Sequence, residues 1–101
     1  MITYIMNEGD PAMFRLWCKT LNENNGIINE VTVVDETDLN RTKKVLNCLS
    51  KACEELDLAE PIWLESNIRE FKTHSKTRFR KDNFMESVPF EYMEIQVIEE
   101  D

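Results

Sequence analysis

The run Phe14-Arg15-Leu16-Trp17-Cys18-Lys19, followed by Asn25-Gly26 and then Ile27-Ile28-Asn29-Glu30-Val31-Thr32-Val33-Val34, decides the fold. Over 13–20, Phe14, Leu16 and Cys18 alternate with Arg15, Trp17 and Lys19, the period of two that marks a half-buried strand. Over 27–34 the chain is rich in β-branched residues, with Ile27, Val31 and Val33 on one face. The linking Asn22-Glu23-Asn24-Asn25-Gly26 ends in Asn-Gly, a pair that tolerates positive φ and suits a hairpin. A β-hairpin is predicted.

Outward from the hairpin the period lengthens. Asp35-Glu36-Thr37-Asp38 offers N-cap side chains and acidic residues where a helix dipole favours them. From 40 to 56, Val45, Leu46, Leu49, Ala52, Cys53 and Leu56 recur at helical spacing, which predicts one long amphipathic helix. Pro61 biases the residue before it away from helix and is expected to end the element. Leu64, Ile68 and Phe71 then predict a short helix over 65–72. Beyond it His74, Lys76, Arg78 and Arg80 alternate with Ser75, Thr77 and Phe79, the pattern of an extended segment with one basic face. Continued helix is the competing reading. Lys81-Asp82-Asn83 is turn-like. Over 90–98, Met93, Ile95 and Val97 face one way and Phe90, Tyr92 and Ile98 the other, as on a central strand.

These elements predict a single α+β domain over 1–101: a hairpin, a long helix, a short helix, and one or two further strands in one sheet. Residues 1–10 are an extra strand or an arm, and 99–101 a solvated acidic tail. The element order is β-grasp-like, by analogy only. At 101 residues with 42% hydrophobic content, the chain has enough apolar surface for one modest core.

Charge is the unusual feature. The chain carries a formal net charge of −8, which disfavours nucleic acid and anionic membrane as general partners. Yet 69–81 holds six of the 12 cations (Arg69, Lys72, Lys76, Arg78, Arg80 and Lys81) against one anion, Glu70. His74 adds a titratable member. In extended form, alternate cations stand about 7 Å apart, matching an acidic partner or a phosphate backbone, and Phe71 and Phe79 are candidates for stacking on bases. The competing role is internal, with the cations neutralising Glu91 and Glu94 on the last strand. Trp17, beside Arg15 and Lys19, and Trp63, after Pro61-Ile62, are the aromatic candidates for a contact surface. Residues 1–6 would be a cover for Trp17 in the alternative reading.

Catalytic signatures are weak. Cys18, Cys48 and Cys53 are odd in number and form no Cys-x-x-Cys, which points to reduced thiols and a cytoplasmic location. With one histidine and no paired short spacings, no structural zinc site is expected. Cys53 is expected in the core and Cys48 at its margin. His74 and Ser75 are adjacent, so on a strand they would face opposite ways and make no nucleophile–base pair. Glu70-Phe71-Lys72 with Asp57 upstream matches the string of some metal-dependent nucleases, but three-letter matches arise easily in so charged a chain. Gly9 and Gly26 form no phosphate loop. Residues 1–6 are too short and lack the basic flank of a signal peptide, and no window approaches a membrane span of about 18 apolar residues.

The segment from Pro61-Ile62-Trp63-Leu64 through Arg78-Phe79-Arg80-Lys81-Asp82-Asn83-Phe84, with the close Phe90 to Asp101, resembles a group of short uncharacterised bacterial proteins of the anaerobic Gram-positive type. The resemblance starts near Met13, implies a cytoplasmic setting, and supplies no activity or catalytic residue. The reading is therefore a small non-enzymatic interaction module without cofactor or metal. Its partner is a protein, or a second copy, held through Arg69, Lys72, His74, Lys76, Arg78, Arg80, Lys81, Trp17 and Trp63. Nucleic-acid binding by the same cations is the alternative, and a small metal-dependent nuclease the third.

Overall fold

A computed structural model describes residues 13–100. The alternation after Met13 becomes strand β1 (Phe14–Leu21), with Phe14, Leu16 and Cys18 buried and Arg15, Trp17 and Lys19 half-buried on the opposite face. It pairs antiparallel with β2 (Ile27–Asp35). Helices α1 (Arg41–Leu56) and α2 (Glu65–His74) follow, then β3 (Lys76–Phe79), a 3₁₀ turn (Lys81–Asn83) and β4 (Tyr92–Glu100). The sheet order is β2-β1-β4-β3, antiparallel throughout. The protein is α+β, and the described residues form a four-stranded sheet and two helices.

α1 packs on β1 and β2, and α2 on β3. Between sheet and helices lie Leu16, Cys18, Leu49, Ala52, Phe79, Met93 and Ile95, each at most 1% exposed. One face of the sheet is thus core, and among the described residues no element packs on the other, an arrangement open to antiparallel sheets.

Several expectations are corrected. The hairpin itself closes on the linking segment 22–26, as expected. There the Asn22 carboxamide accepts from the N–H groups of Asn24 and Gly26, and Asn25 takes the positive φ of 64°. A Cβ at Gly26 would stand 2.8 Å from the Asn22 amide nitrogen, so a larger residue there would require the Asn22 side chain to shift. Asn40, not the 35–38 run, caps α1, its side chain accepting from Lys43 N–H at 2.9 Å. Asp35 instead accepts from the amide and hydroxyl of Thr37. Asp57 ends α1 in the left-handed conformation, four residues before Pro61, and the Leu58 N–H returns to Cys53 C=O.

α2 runs two residues further than expected, so His74 is helical and not part of the strand; Ser75, at φ 58°, makes the break. Glu99 and Glu100 end β4 and pair with Arg15 and Arg41, so they are not a free tail. Cys48 is core, not margin, at 1% exposure. Ile27, Leu46, Leu64 and Ile68, counted on buried stripes by periodicity, are each more than 40% exposed. The β-grasp likeness stops at element order: two helices return the chain, and the last strand lies antiparallel to the first. The expectations for 1–10, for 1–6 over Trp17 and for Asp101 fall outside the described residues.

Candidate functional site: two aromatic surfaces

The basic stretch does not form one surface. Its members divide between the open sheet face and the helical side.

Strand register places Lys76 opposite Gln96 and Arg78 opposite Glu94, while Lys19 opposes Glu94 from the other flank. Directly opposed residues share a face, so Trp17, Lys19, Lys76, Arg78 and Glu94 all stand on the open side. Most of this charge is answered from within. Arg78 Nε donates to Glu94 at 2.8 Å, and Lys19 Nζ lies 3.4 Å from the same carboxylate. Arg78 and Arg80 each lie 4.8 Å from the centre of the Tyr92 ring, within cation–π range. Lys81 reaches Glu91 at 3.6 Å from the turn. Burial alone would raise the Glu94 carboxyl; the Arg78 hydrogen bond and the charges of Lys19 and Arg78 outweigh it and hold the group below its ordinary 4.5.

Trp17 is similarly occupied. Its indole N–H donates to Glu30 at 2.8 Å, and Lys19 Nζ sits 3.7 Å over the ring. The aromatic that looked most exposed in the sequence is satisfied at both its polar and its π face.

The helical side differs. Arg69 makes only a solvent-exposed i, i+4 pair with Glu65, worth a few tenths of a kcal/mol. Among the described residues no ion pair engages Lys72 or His74 on this side, nor Lys76 on the open face. A polar pocket of about 270 Å³ joins His74, Lys76 and Arg78 to Glu70, Thr77 and Glu94. Its two carboxylates are already engaged, Glu70 by the Thr77 hydroxyl at 2.6 Å and Glu94 by Arg78.

Above Phe71 and Trp63, α1 and α2 leave a groove of about 470 Å³, inside the size range of ligand pockets. Val45, Leu46, Trp63, Ile68 and Phe71 supply its apolar lining, and Arg41, Thr42 and Lys72 its polar lining. The Trp63 ring meets Phe71 and Phe79 edge to face at 5.6 and 5.1 Å. Its Nε1 is buried and has no hydrogen-bond partner among the described residues. A buried N–H left unpaired costs about 1–3 kcal/mol, so the position must be fixed by something else.

That something is a network of carboxamides. The Asn67 Oδ1 accepts from Leu64 N–H and from Asn83 Nδ2, while Asn67 Nδ2 donates to the Thr77 hydroxyl and to Arg78 C=O. The Asn83 Nδ2 also donates to Ile62 C=O, and Asn83 C=O accepts from Ile62 N–H, both at 2.7 Å. Asn83 Oδ1 takes the Arg80 N–H. Residues 62 and 64 are thereby held on either side of Trp63, and all four hydrogen-bonding positions of Asn67 are filled. Neither asparagine was expected in a structural role; periodicity tracks apolar side chains and carries no signal for such pairs.

The catalytic candidates do not converge. Asp57 is the exposed C-cap of α1, and Glu70 faces Thr77. Among the described residues no three His, Cys, Asp or Glu side chains lie in position to hold a metal ion. Burial pushes Cys18 up to about 12 and Cys48 and Cys53 up to about 11, far from the thiolate state a nucleophile needs. Ser75 Oγ accepts from Arg41, not from His74. Among the described residues no helix is long and apolar enough to cross a membrane. Comparisons with protein-family models, curated proteins and solved structures find no match to this chain.

Proposed function

We propose that the chain is a non-enzymatic protein-interaction module whose partner seats an apolar side chain, flanked by carboxylates, in the groove between α1 and α2. The observation that carries this reading is the buried indole N–H of Trp63, unpartnered among the described residues, beside an apolar groove with cations at its rim. A carbonyl or carboxylate oxygen would satisfy the N–H once the seated side chain opens the groove beside the ring, since the Nε1 is buried in the free protein. Leu46 and Ile68, each more than 40% exposed, would receive the apolar group. Lys72 supplies a charge that no ion pair engages among the described residues. Arg41, which already holds Glu100, is a carboxylate partner in kind. In a chain of net −8 these cations favour an acidic ligand locally while the overall field rejects bulk polyanions.

The test is titration of a Trp17→Phe variant, whose remaining indole is Trp63, with blocked peptides carrying two leucines flanked by glutamates or by lysines. The reading expects the glutamate peptide to change the fluorescence saturably and the lysine peptide to leave it unchanged. Equal response to both peptides, or to neither, overturns it.

A second reading rests on the open sheet face, where Trp17 on β1 and Tyr92 on β4 occupy the two central strands beside Lys19, Lys76, Arg78 and Arg80. Aromatics and cations so placed suit single-stranded nucleic acid. Against it stand the ring faces already taken by the chain's own cations and the net charge. Absence of salt-sensitive binding to single-stranded RNA removes this alternative.

A further inference from the structure

The two edges of the sheet are defended very differently. Both edge strands have a helix on their core face, α2 on β3 and α1 on β2, but β3 is only four residues long, carries Lys76 and Arg78, and runs into Arg80 and Lys81. Short length and cations are ordinary means by which an edge is kept from pairing. β2 at the opposite edge is nine residues long, and among the described residues no strand pairs with its outer side. It contains no Pro, Lys or Arg. Five of its nine residues are Ile or Val, and Ile27, Ile28 and Val34 are each at least 40% exposed. One irregularity, where Thr20 pairs with Asn29 but Leu21 with Ile27, interrupts only its first end. From Asn29 to Asp35 the register with β1 is unbroken. The two acidic groups of this stretch are held within the subunit, Glu30 by the Trp17 indole and Asp35 by Thr37.

We infer that β2 is a self-association edge, pairing antiparallel with β2 of a second copy to join two sheets into one. The sequence of the clean stretch is compatible with its own reverse. A two-fold axis at Thr32 sets Thr32 against Thr32 of the second copy, a favourable cross-strand pair. Val31 meets Val33 of the second copy, extending the apolar layer in which Val33 is buried and Val31 half-buried. Glu30 meets Val34 of the second copy, so the register sets no like charges directly opposite each other. A contact of one strand pair falls at the small end of specific interfaces, below about 1,200 Å², so the dimer is transient and concentration-dependent. Two chains of −8 repel each other, so added salt strengthens it.

Sedimentation equilibrium over a wide protein concentration range, at low and high salt, tests the inference, alongside Val34→Lys and Thr32→Lys. Both positions are exposed and face away from the core, so the variants keep the fold, which circular dichroism verifies. The expected result is a wild-type monomer–dimer equilibrium that tightens with salt, and a dissociation constant at least about tenfold weaker in each variant. The variants lower the net negative charge, so a merely electrostatic association would move the other way. A wild type that stays monomeric at high salt, or variants that dimerise as well as the wild type, overturns the inference.

Discussion

Trp17 and Trp63 stand on opposite sides of the sheet and show two ways of holding a large aromatic residue. Trp17 is on the open face, yet each of its functional groups is used by its own fold: the indole N–H by Glu30, the ring by Lys19. Trp63 is packed edge-on against Phe71 and Phe79, yet its N–H has no partner among the described residues. Exposure is therefore a poor guide to which surface is free for a partner, and unanswered hydrogen-bonding capacity a better one. The same contrast divides the basic stretch. Arg78, Arg80 and Lys81 are answered by Glu94, Tyr92 and Glu91, whereas Lys72 is not answered within the described residues.

The contrast can be broken most severely at Asn67. Asn67→Ala leaves the Asn83 carboxamide, the Leu64 N–H and the Arg78 C=O short of partners and should cost about 3 kcal/mol, read as a drop in the urea midpoint. Trp63 fluorescence should shift with it, because residues 62 and 64 lose their anchor. A loss below about 1 kcal/mol would mean that the network does not position the indole.

Glu94→Gln comes next, at about 2 kcal/mol, because it removes a charge-assisted bond to Arg78 and the attraction of Lys19. The pH dependence has a definite sign. The folded-state carboxyl lies below its ordinary 4.5, so its contribution is fully present above that range and is lost as pH falls through the lower folded-state value. The wild type should lose its advantage over Glu94→Gln in acid. A gap that stays constant from neutral to strongly acidic pH would contradict the pairing.

How much of this was legible beforehand depends on the kind of interaction involved. Alternation across Phe14, Leu16 and Cys18 announced β1 because burial on one face of a strand imposes a period of two. The helical spacing of Val45, Leu49 and Ala52 announced α1 for the corresponding reason. Leu46 and Ile68 were misassigned because a wide apolar stripe has the same period whether its margin meets core or lines a groove. The pairing of Arg78 with Glu94 was foreseeable as one option, since both lie on alternating strands, but register decides it and register is a tertiary fact. The Asn67–Asn83 pair joins residues 16 apart through side-chain geometry alone, and no local pattern encodes that.

Smaller effects sharpen the comparison of the tryptophans. Trp17→Phe gives up the bond to Glu30 and part of the Lys19 contact and should cost about 1 kcal/mol. Trp63→Phe removes a buried N–H that has no partner, so the relief offsets the lost ring volume and the net change should stay within about 1 kcal/mol of zero. A markedly larger loss for Trp63→Phe than for Trp17→Phe would show that the indole N–H is satisfied after all. Lys72→Glu, at an exposed helical position, should change stability by less than about 0.5 kcal/mol. It should nevertheless weaken binding of the glutamate peptide at least about tenfold.

The most direct measurement follows the two indole N–H signals by two-dimensional NMR during addition of the glutamate-flanked leucine peptide. The account predicts that the Trp63 signal moves, as a free donor gaining an acceptor must, while the Trp17 signal, already bonded to Glu30, stays in place. Movement of Trp17 with Trp63 unchanged would put the partner on the open sheet face and contradict the account.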